Sequence, residues 1–291
     1  MSIVRRTFEV LSNRRAGAYR VIQIVAPEIA EQARPGQFIE VGVGEGREFL
    51  LRRPFSIADV AQRGPLGGTL DIAVYGKGGG TSWLAELQAH ESIDVIGPLG
   101  TPFGYPTELK NCLLVGGGYG AAPLYFLADQ LRERGKRVDM VIGARTEARL
   151  YEPVEARRRS RSVVITTEDG SQGEPGRVTD VMKGVLAQHE SEVVYACGPN
   201  DMLRAVADYC LVHGIPCQVA VEEFMACGLG VCWTCVVPVR QKEGRGWENL
   251  RTCVEGPVFN GALVWWDRWL GPEEPLVSEP EMETRSAGGE S

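Results

Sequence analysis

No stretch of this chain reaches the ~18 consecutive apolar residues of a bilayer-spanning helix. The nearest, residues 111–127, is broken by three consecutive glycines and Pro123, so a membrane protein is not expected. The start, Met1-Ser2-Ile3-Val4-Arg5-Arg6, lacks the apolar segment of a secretory signal. That absence predicts a cytoplasmic, reducing setting in which cysteines stay out of disulfides. Internal repeats are absent as well. Strong charge is also missing: of the formal net charge of −7, residues 271–291 carry six glutamates against one arginine, which leaves the rest of the chain at about −2. Such a balance gives no case for nucleic acid or an anionic membrane as partner. The short run Arg157-Arg158-Arg159-Ser160-Arg161 reads as a solvated helix end or loop.

Cysteine, by contrast, is present in a pattern. Cys227, Cys232 and Cys235 stand as C-x4-C-x2-C with Cys253 downstream, the plant-type spacing for a two-iron, two-sulfide (2Fe–2S) cluster held by four thiolates. Gly228 and Gly230 leave room for a tight loop whose N–H groups turn toward the cluster sulfurs. Structural zinc is the rival, but zinc sites more often pair two C-x2-C knuckles and only one is present here. The spacing therefore predicts single-electron transfer. Cys112, Cys210 and Cys217 have no ligand spacing and read as small buried hydrophobes.

At 291 residues the chain exceeds one ordinary hydrophobic core, which implies about two domains and a small module. Within residues 1–101, short β-type segments (18–26, 37–43, 55–60, 69–75 and 92–96) are punctuated by Gly and Pro, as in a small antiparallel β-barrel. Residues 102–216 alternate strand-like runs (112–115, 138–142, 163–167, 193–197) with helical ones (121–134, 179–187, 201–213), as in an α/β parallel sheet. The cysteine module occupies 217–270. Residues 271–291, rich in Pro, Glu, Ser and Gly, read as a disordered acidic tail.

Several loops carry chemistry. Arg53-Pro54-Phe55-Ser56 opens a barrel strand with a guanidinium for a phosphate, a ring to pack on a ring system and a hydroxyl for a ring nitrogen. Positions 53 and 56 differ by three and do not share a face of a regular strand; a bend at Pro54 is expected to bring both to one ligand. The run from Tyr75 to Ser82, with Gly78-Gly79-Gly80-Thr81, ends a strand and opens a helix, which makes an anion site. Gly116-Gly117-Gly118-Tyr119-Gly120 follows a strand and precedes a helix with Pro123 in its first turn. It suits a pyrophosphate, although the G-x-G-x-x-G fingerprint is absent. Cys197-Gly198-Pro199-Asn200-Asp201 repeats that geometry, with Asp201 as the expected helix cap. At the C-terminal edge of one sheet the two loops flank one crevice.

The order Pro35-Gly36-Gln37-Phe38, Arg53-Pro54-Phe55-Ser56, Gly80-Thr81, Gly97-Pro98-Leu99-Gly100, Gly116 to Pro123 and Cys197-Gly198-Pro199 resembles the ferredoxin–NADP reductase superfamily over residues 1–216. With the cysteine module and Glu255-Gly256-Pro257-Val258-Phe259 the resemblance extends to about residue 260 and narrows to the electron-transfer subunits of class 1B dihydroorotate dehydrogenase. It implies cofactor contacts from Arg53, Pro54, Phe55, Ser56, Ala73, Val74, Tyr75, Gly80 and Thr81 to FAD, with Ser56 orienting flavin N5. It implies a nicotinamide crevice at Gly116, Gly117, Gly118, Cys197, Gly198 and Pro199, with Cys197 near the nicotinamide. NAD as substrate comes from the resemblance alone, since Arg145 and Arg149, which suit a 2′-phosphate, stand among Glu147 and Glu152.

The same resemblance implies an FMN-containing dihydroorotate dehydrogenase catalytic subunit as partner, in a heterotetramer with two copies of each chain. Electrons from dihydroorotate then pass through the 2Fe–2S cluster and FAD to NAD+ in pyrimidine biosynthesis. A flavin joins a one-electron cluster to a two-electron nicotinamide because it exchanges electrons either way. Two other readings stay open: an NAD(P)H-linked reductase subunit of a cytoplasmic hydrogenase or ferredoxin transhydrogenase, and a redox-sensing module without turnover. Trp233, Trp265, Trp266 and Trp269 suit either core packing or a docking surface.

Overall fold

The computed structural model describes residues 2–44, 49–61, 64, 67–241 and 246–271. The expected acidic tail lies outside them from residue 272 onward.

Six strands close an antiparallel barrel: β1 (Val4–Ala16), β2 (Tyr19–Val25), β3 (Phe38–Val41), β4 (Arg53–Ala61), β5 (Thr69–Val74) and β6 (Ser92–Leu99), ordered β1-β2-β5-β4-β3-β6. Period-two alternation sends Ile22, Ile24, Ile39, Leu70, Ile72 and Val74 into one interior cluster. β1 is the strand that no apolar alternation announces. Only Phe8, Val10 and Ala16 of it are buried, and charged and polar residues fill most of the rest. It pairs with β6 through Val4–Glu9 and with β2 through Glu9–Ala16, changing partner across a bulge between Val10 and Ser12. Two short helices, α1 (Pro27–Ala30) and α2 (Gly79–Glu86), fill barrel connections.

The second unit is a parallel sheet of β7 (Asn111–Gly117), β8 (Arg137–Ala144), β9 (Ser162–Thr167), β10 (Glu174–Pro175), β11 (Val193–Cys197) and β12 (Cys217–Ala220), in the order β10-β9-β8-β7-β11-β12. Both faces are covered, so successive residues of β7 part company. Cys112 and Leu114 pack toward α3 (Ala122–Glu133) and α4 (Pro153–Arg159), whereas Leu113 and Val115 pack toward α5 (Val178–His189) and α6 (Asn200–Val212). That two-sided burial explains the unbroken apolar run read in the sequence. Strand order reverses between β7 and β11, which is the switch point where open α/β sheets bind ligands.

Beyond β12 the chain makes a ribbon of β13 (Val236–Arg240) and β14 (Trp247–Arg251). It then returns as β15 (Val258–Asn260), antiparallel to β12, and runs on into α7 (Trp266–Leu270). The expected boundary at 216/217 thus falls immediately before a sheet strand. β12 and β15 have four and three residues, too short to show a period, and the cysteine segment is a loop anchored to the sheet at both ends.

Barrel and sheet share a core. Ala16, Tyr19, Val21 and Ala58 of the barrel lie in one cluster with Leu124, Tyr125 and Ala128 of α3. Arg159 spans the junction, 2.6 Å from Asp59 and 3.0 Å from Asp129, and Arg14 pairs with Glu152. A cavity of about 150 Å³ at this junction is lined by Arg14, Asp59, Asp71, Tyr125, Glu152 and Arg159 among others. Burial pushes the Asp71 carboxyl up from 3.8 to about 6, with Asp59 adding to the rise and Gln23 and Arg14 opposing it. Because the folded value is the higher one, the unfolded chain loses this proton first, and stability falls as pH rises from about 4 to 6. Asp71→Asn should therefore gain about 1–2 kcal/mol at pH 8 and lose the gain below pH 4. Denaturant melts at the two pH values check this, and equal stability of the two proteins at pH 8 would refute it.

Candidate redox and nucleotide sites

Strand pairing opens a wedge in the barrel wall. β4 pairs with β3 through Arg53–Ser56, but with β5 only from Ile57 to Ala61. β5 continues along β2 through Ala73 and Val74 after its pairing with β4 has ended. Arg53–Ser56 and Ala73–Tyr75 therefore border a gap that no strand pairing among the described residues crosses, and its peptide edges can serve a flat ligand. The register from Arg53 to Ser56 is unbroken, and the irregularity falls between Ile57 and Asp59. The bend expected at Pro54 is thus not what the register shows. Ser56 is exposed in mid-strand, next to buried Ile57.

The start of α2 adjoins the wedge. Thr81 Oγ1 accepts the N–H groups of Lys77 and Gly78 at 3.1 Å each and donates to the Gly78 carbonyl at 3.0 Å, so its hydroxyl is committed to capping the helix. A Cβ on Gly80 would stand 3.5 Å from Nε and Nη2 of Arg53. The Arg53 guanidinium therefore sits at the positive end of α2, where a phosphate is favoured twice over. A cavity of about 670 Å³ lies nearby, lined by Val43, Phe49, Arg52, Trp83 and Asp94 among others, but neither Ser56 nor Ala73–Tyr75 borders it. The wedge is the better candidate because Arg53, Ser56 and Ala73–Tyr75 all border it.

At the switch point the loops after β7 and β11 touch directly. A Cβ on Gly117 would meet Met202 Sδ at 2.6 Å and Pro199 Cδ at 2.9 Å, and one on Gly120 would meet the Cys197 carbonyl and Gly198 Cα, both at 2.6 Å. These glycines let the loops pack on each other, a reason beyond the approach of a pyrophosphate. Asp201 is not the cap of α6, which starts at Asn200 with Pro199 in the cap position and no side-chain cap bond. Cys197 is buried, and burial pushes its thiol up.

Two residues here escape sequence reasoning. Tyr119 Oη donates to Glu222 Oε2 at 2.9 Å, and burial raises the Glu222 carboxyl above its ordinary value. The signal for Glu222 is an acid standing just past an apolar strand, at the ligand edge of the sheet. Asn200 Nδ2 holds the Glu222 carbonyl at 2.9 Å. Arg149 stacks on the Tyr75 ring at 4.2 Å, whereas Arg145 lies exposed beyond the end of β8.

The cysteines converge in pairs. Cys227 lies within hydrogen-bond reach of Cys232, and Cys235 within reach of Cys253. Hydrogen bonds from Thr234 and then Cys227 pull the Cys232 thiol down to about 6, while burial pushes Cys253 up to about 12. Among the described residues no group of three ligating side chains surrounds a single point. Two pairs of thiols match a cluster whose two irons each take two cysteines. Buried Thr252 Oγ1, next to Cys253, has no partner among the described residues, as fits a donor to an inorganic sulfide.

Cys235 and Cys253 pack on Phe38, Ile96 and Leu99 of the outer barrel face. Cys232 is exposed. Both loop glycines have positive φ, +65° at Gly228 and +81° at Gly230, and a Cβ on Gly230 would meet Val254 Cγ2 at 2.5 Å. Arg251 holds the Gly230 carbonyl at 2.7 Å and pairs with Glu255. Trp265, Trp266 and Trp269 pack: Trp265 meets Trp247 edge-on at 5.7 Å, Trp266 meets Trp269 at 5.7 Å, and Trp266 Nε1 donates to the Gly261 carbonyl. Trp233 alone of the four stays largely exposed.

A barrel with a cationic wedge, a nucleotide-type sheet and a paired-cysteine loop define a reductase-type oxidoreductase of the ferredoxin reductase fold. Residues 114–208 match the oxidoreductase NAD-binding domain, and residues 222–264 match the iron–sulfur cluster binding domain of dihydroorotate dehydrogenase B. The dihydroorotate dehydrogenase B (NAD(+)) electron transfer subunit of Bacillus caldolyticus is 39% identical over 240 residues, covering 81% of this chain and 88% of that one. Its counterpart in Desulforamulus reducens is 36% identical over 243 residues, covering 83% and 90%. This chain belongs to the family of dihydroorotate dehydrogenase B electron transfer subunits. A solved structure described as an NADH-dependent reduced ferredoxin-NADP oxidoreductase is 33% identical, with a TM-score of 0.78 and coverage of 90% and 91%. A ferredoxin NADP+ reductase from Neisseria gonorrhoeae, 18% identical with a TM-score of 0.58 over 72% of this chain and 92% of that one, shares the fold. No helix among the described residues is long and apolar enough to cross a membrane.

Proposed function

We propose that this chain passes electrons from a dihydroorotate-oxidising, FMN-containing subunit to NAD+ in cytoplasmic pyrimidine synthesis, with two copies of each subunit in the assembly. In this reading Cys227, Cys232, Cys235 and Cys253 hold a 2Fe–2S cluster, and the wedge between β4 and β5 holds FAD. The crevice at Gly116–Gly118, Cys197, Gly198 and Pro199 admits the nicotinamide. The observation that carries the reading is the orientation of the cysteine segment. One pair lies buried against Phe38, whose register partner is Ser56 at the wedge border, and Cys232 of the other pair lies at the surface between Val231 and Trp233 in the chain; these two and Phe224 are 78%, 56% and 87% exposed. An apolar surface of this kind marks a docking site.

FAD, when bound, supplies the exchange between single electrons and hydride. Arg53 and the start of α2 neutralise a phosphate, while the exposed Ser56 hydroxyl is available to orient a flavin ring nitrogen. Arg53 and Ser56 reach one ligand from opposite strand faces because the ligand runs along the strand edge. Cys197, with Tyr119 and Glu222 beside it, closes the inner wall of the crevice.

For the cluster, the purified chain should contain two irons and two acid-labile sulfides, and Cys232→Ser should lose most of both. Stoichiometric zinc without sulfide would refute the ligand assignment. For the wedge, Arg53→Ala should weaken FAD retention about tenfold or more, consistent with loss of a charge-assisted contact. Ser56→Ala should keep FAD and slow flavin reduction by NADH. Equal, full activity of both variants in stopped-flow assays would remove the wedge from consideration.

Reconstitution tests the function itself. Alone, the chain should pass electrons from NADH to an artificial acceptor and fail to use dihydroorotate; with the FMN subunit, dihydroorotate should reduce NAD+. The similarity to the reduced ferredoxin-NADP oxidoreductase favours a second reading, a ferredoxin-linked reductase subunit. Turnover supported by ferredoxin and not by the FMN subunit would establish that reading instead.

A further inference from the structure

β3 separates two environments. Ile39 and Val41 point into the barrel, while Phe38 faces outward onto Cys235 and Cys253. By alternation Glu40 shares the outward face with Phe38, in a position where an apolar side chain would pack without penalty. Glu40 is nevertheless fully buried, and both of its carboxylate oxygens lack a hydrogen-bond partner among the described residues. A Cβ on Gly228 would stand only 2.4 Å from Glu40 Oε1, so the carboxylate is seated against the loop that joins Cys227 to Cys232. On its other side Glu40 is registered with Pro54, at the border of the wedge.

Its surroundings do not neutralise it in the usual way. Burial raises the carboxyl to about 7, opposed by the cations Arg52 and Arg53 and reinforced by the charge of Cys232. Arg52 is already paired with Asp94. An unsatisfied buried carboxylate costs on the order of 1–3 kcal/mol or more. Fixed charge in a low-dielectric setting acts strongly on charge that arrives nearby.

We propose that Glu40 sets the driving force between the two redox sites: its carboxylate disfavours the added electron on the adjacent cluster and so promotes one-electron departure toward the wedge. Glu40 is a tuning residue and touches no substrate. No proton or bond changes hands in this step. The inference rests on the cluster and flavin assignments above and deepens them.

The test uses the whole chain loaded with iron, sulfide and FAD, as wild type, Glu40→Gln and Glu40→Asp. The cluster midpoint is read from the reduced-state paramagnetic signal in a redox titration at about pH 8.5, above the value to which burial raises this carboxyl. Glu40→Gln should favour cluster reduction by at least about tenfold, an upward shift of 59 mV for a one-electron couple. Glu40→Asp keeps the charge and should stay near wild type, and all three proteins should hold the same iron, sulfide and flavin. A Glu40→Gln midpoint equal to wild type overturns the proposal, as does loss of the cluster in both variants, which would mark a purely structural residue. Wild-type chain without iron and sulfide would overturn the cluster assignment instead.

Discussion

Burial on both faces of β3 and β6 is the constraint on which the arrangement depends. A barrel strand normally buries one face and wets the other, yet here Ile39, Val41, Ile93 and Val95 fill the barrel while Phe38, Ile96 and Leu99 are buried outside it under Cys235 and Cys253. Thr101, just past β6, fastens the same region by taking the Gly256 carbonyl at 2.6 Å and the Val254 carbonyl at 3.1 Å. With β12 and β15 anchoring both ends of the cysteine segment to the sheet, the segment cannot swing away from the barrel. The barrel–sheet core and the thiols on the outer barrel face are thereby held in a fixed relation.

Legibility in the sequence followed the range of the signal. Cysteine spacing is local, and all four cysteines sit in the segment that the spacing marks out. Two-sided burial left an unbroken apolar run in β7, and the glycine loops after β7 and β11 stood out by composition. The wedge was hidden, because it arises where two strands stop pairing and no single strand records that. Ala73 and Val74 were reachable only through the family resemblance. β1 was hidden for the opposite reason: a strand with three buried side chains carries almost no alternation.

The glycines show that a residue can be required for more than the reason its sequence suggests. The sequence marks Gly116, Gly117 and Gly118 for backbone approach to a pyrophosphate, but the structure gives Gly117, and Gly120 beyond them, a contact of their own, loop against loop across the switch point. A side chain at either would part β7 from β11 at the edge where ligands bind, so the requirement is architectural before it is chemical. Gly228 is a similar case. Its positive φ suits a tight loop, and the space a side chain would take is filled by Glu40.

Departures from local rules gather around the cysteine segment. Glu40 and Thr252 are buried there without partners among the described residues, Trp233 holds a positive φ of 58°, and Phe224, Leu229, Val231, Trp233 and Val254 are exposed. Natural sequences accept such inconsistencies chiefly at functional sites. The loop from Cys227 to Cys232 is held from the protein side by Arg251 at Gly230 and by contact with Glu40, while its thiols lie at or near the surface. Metal–thiolate bonds contribute folding energy where protein contacts are sparse. Bound metal would therefore both carry the electron and complete the loop.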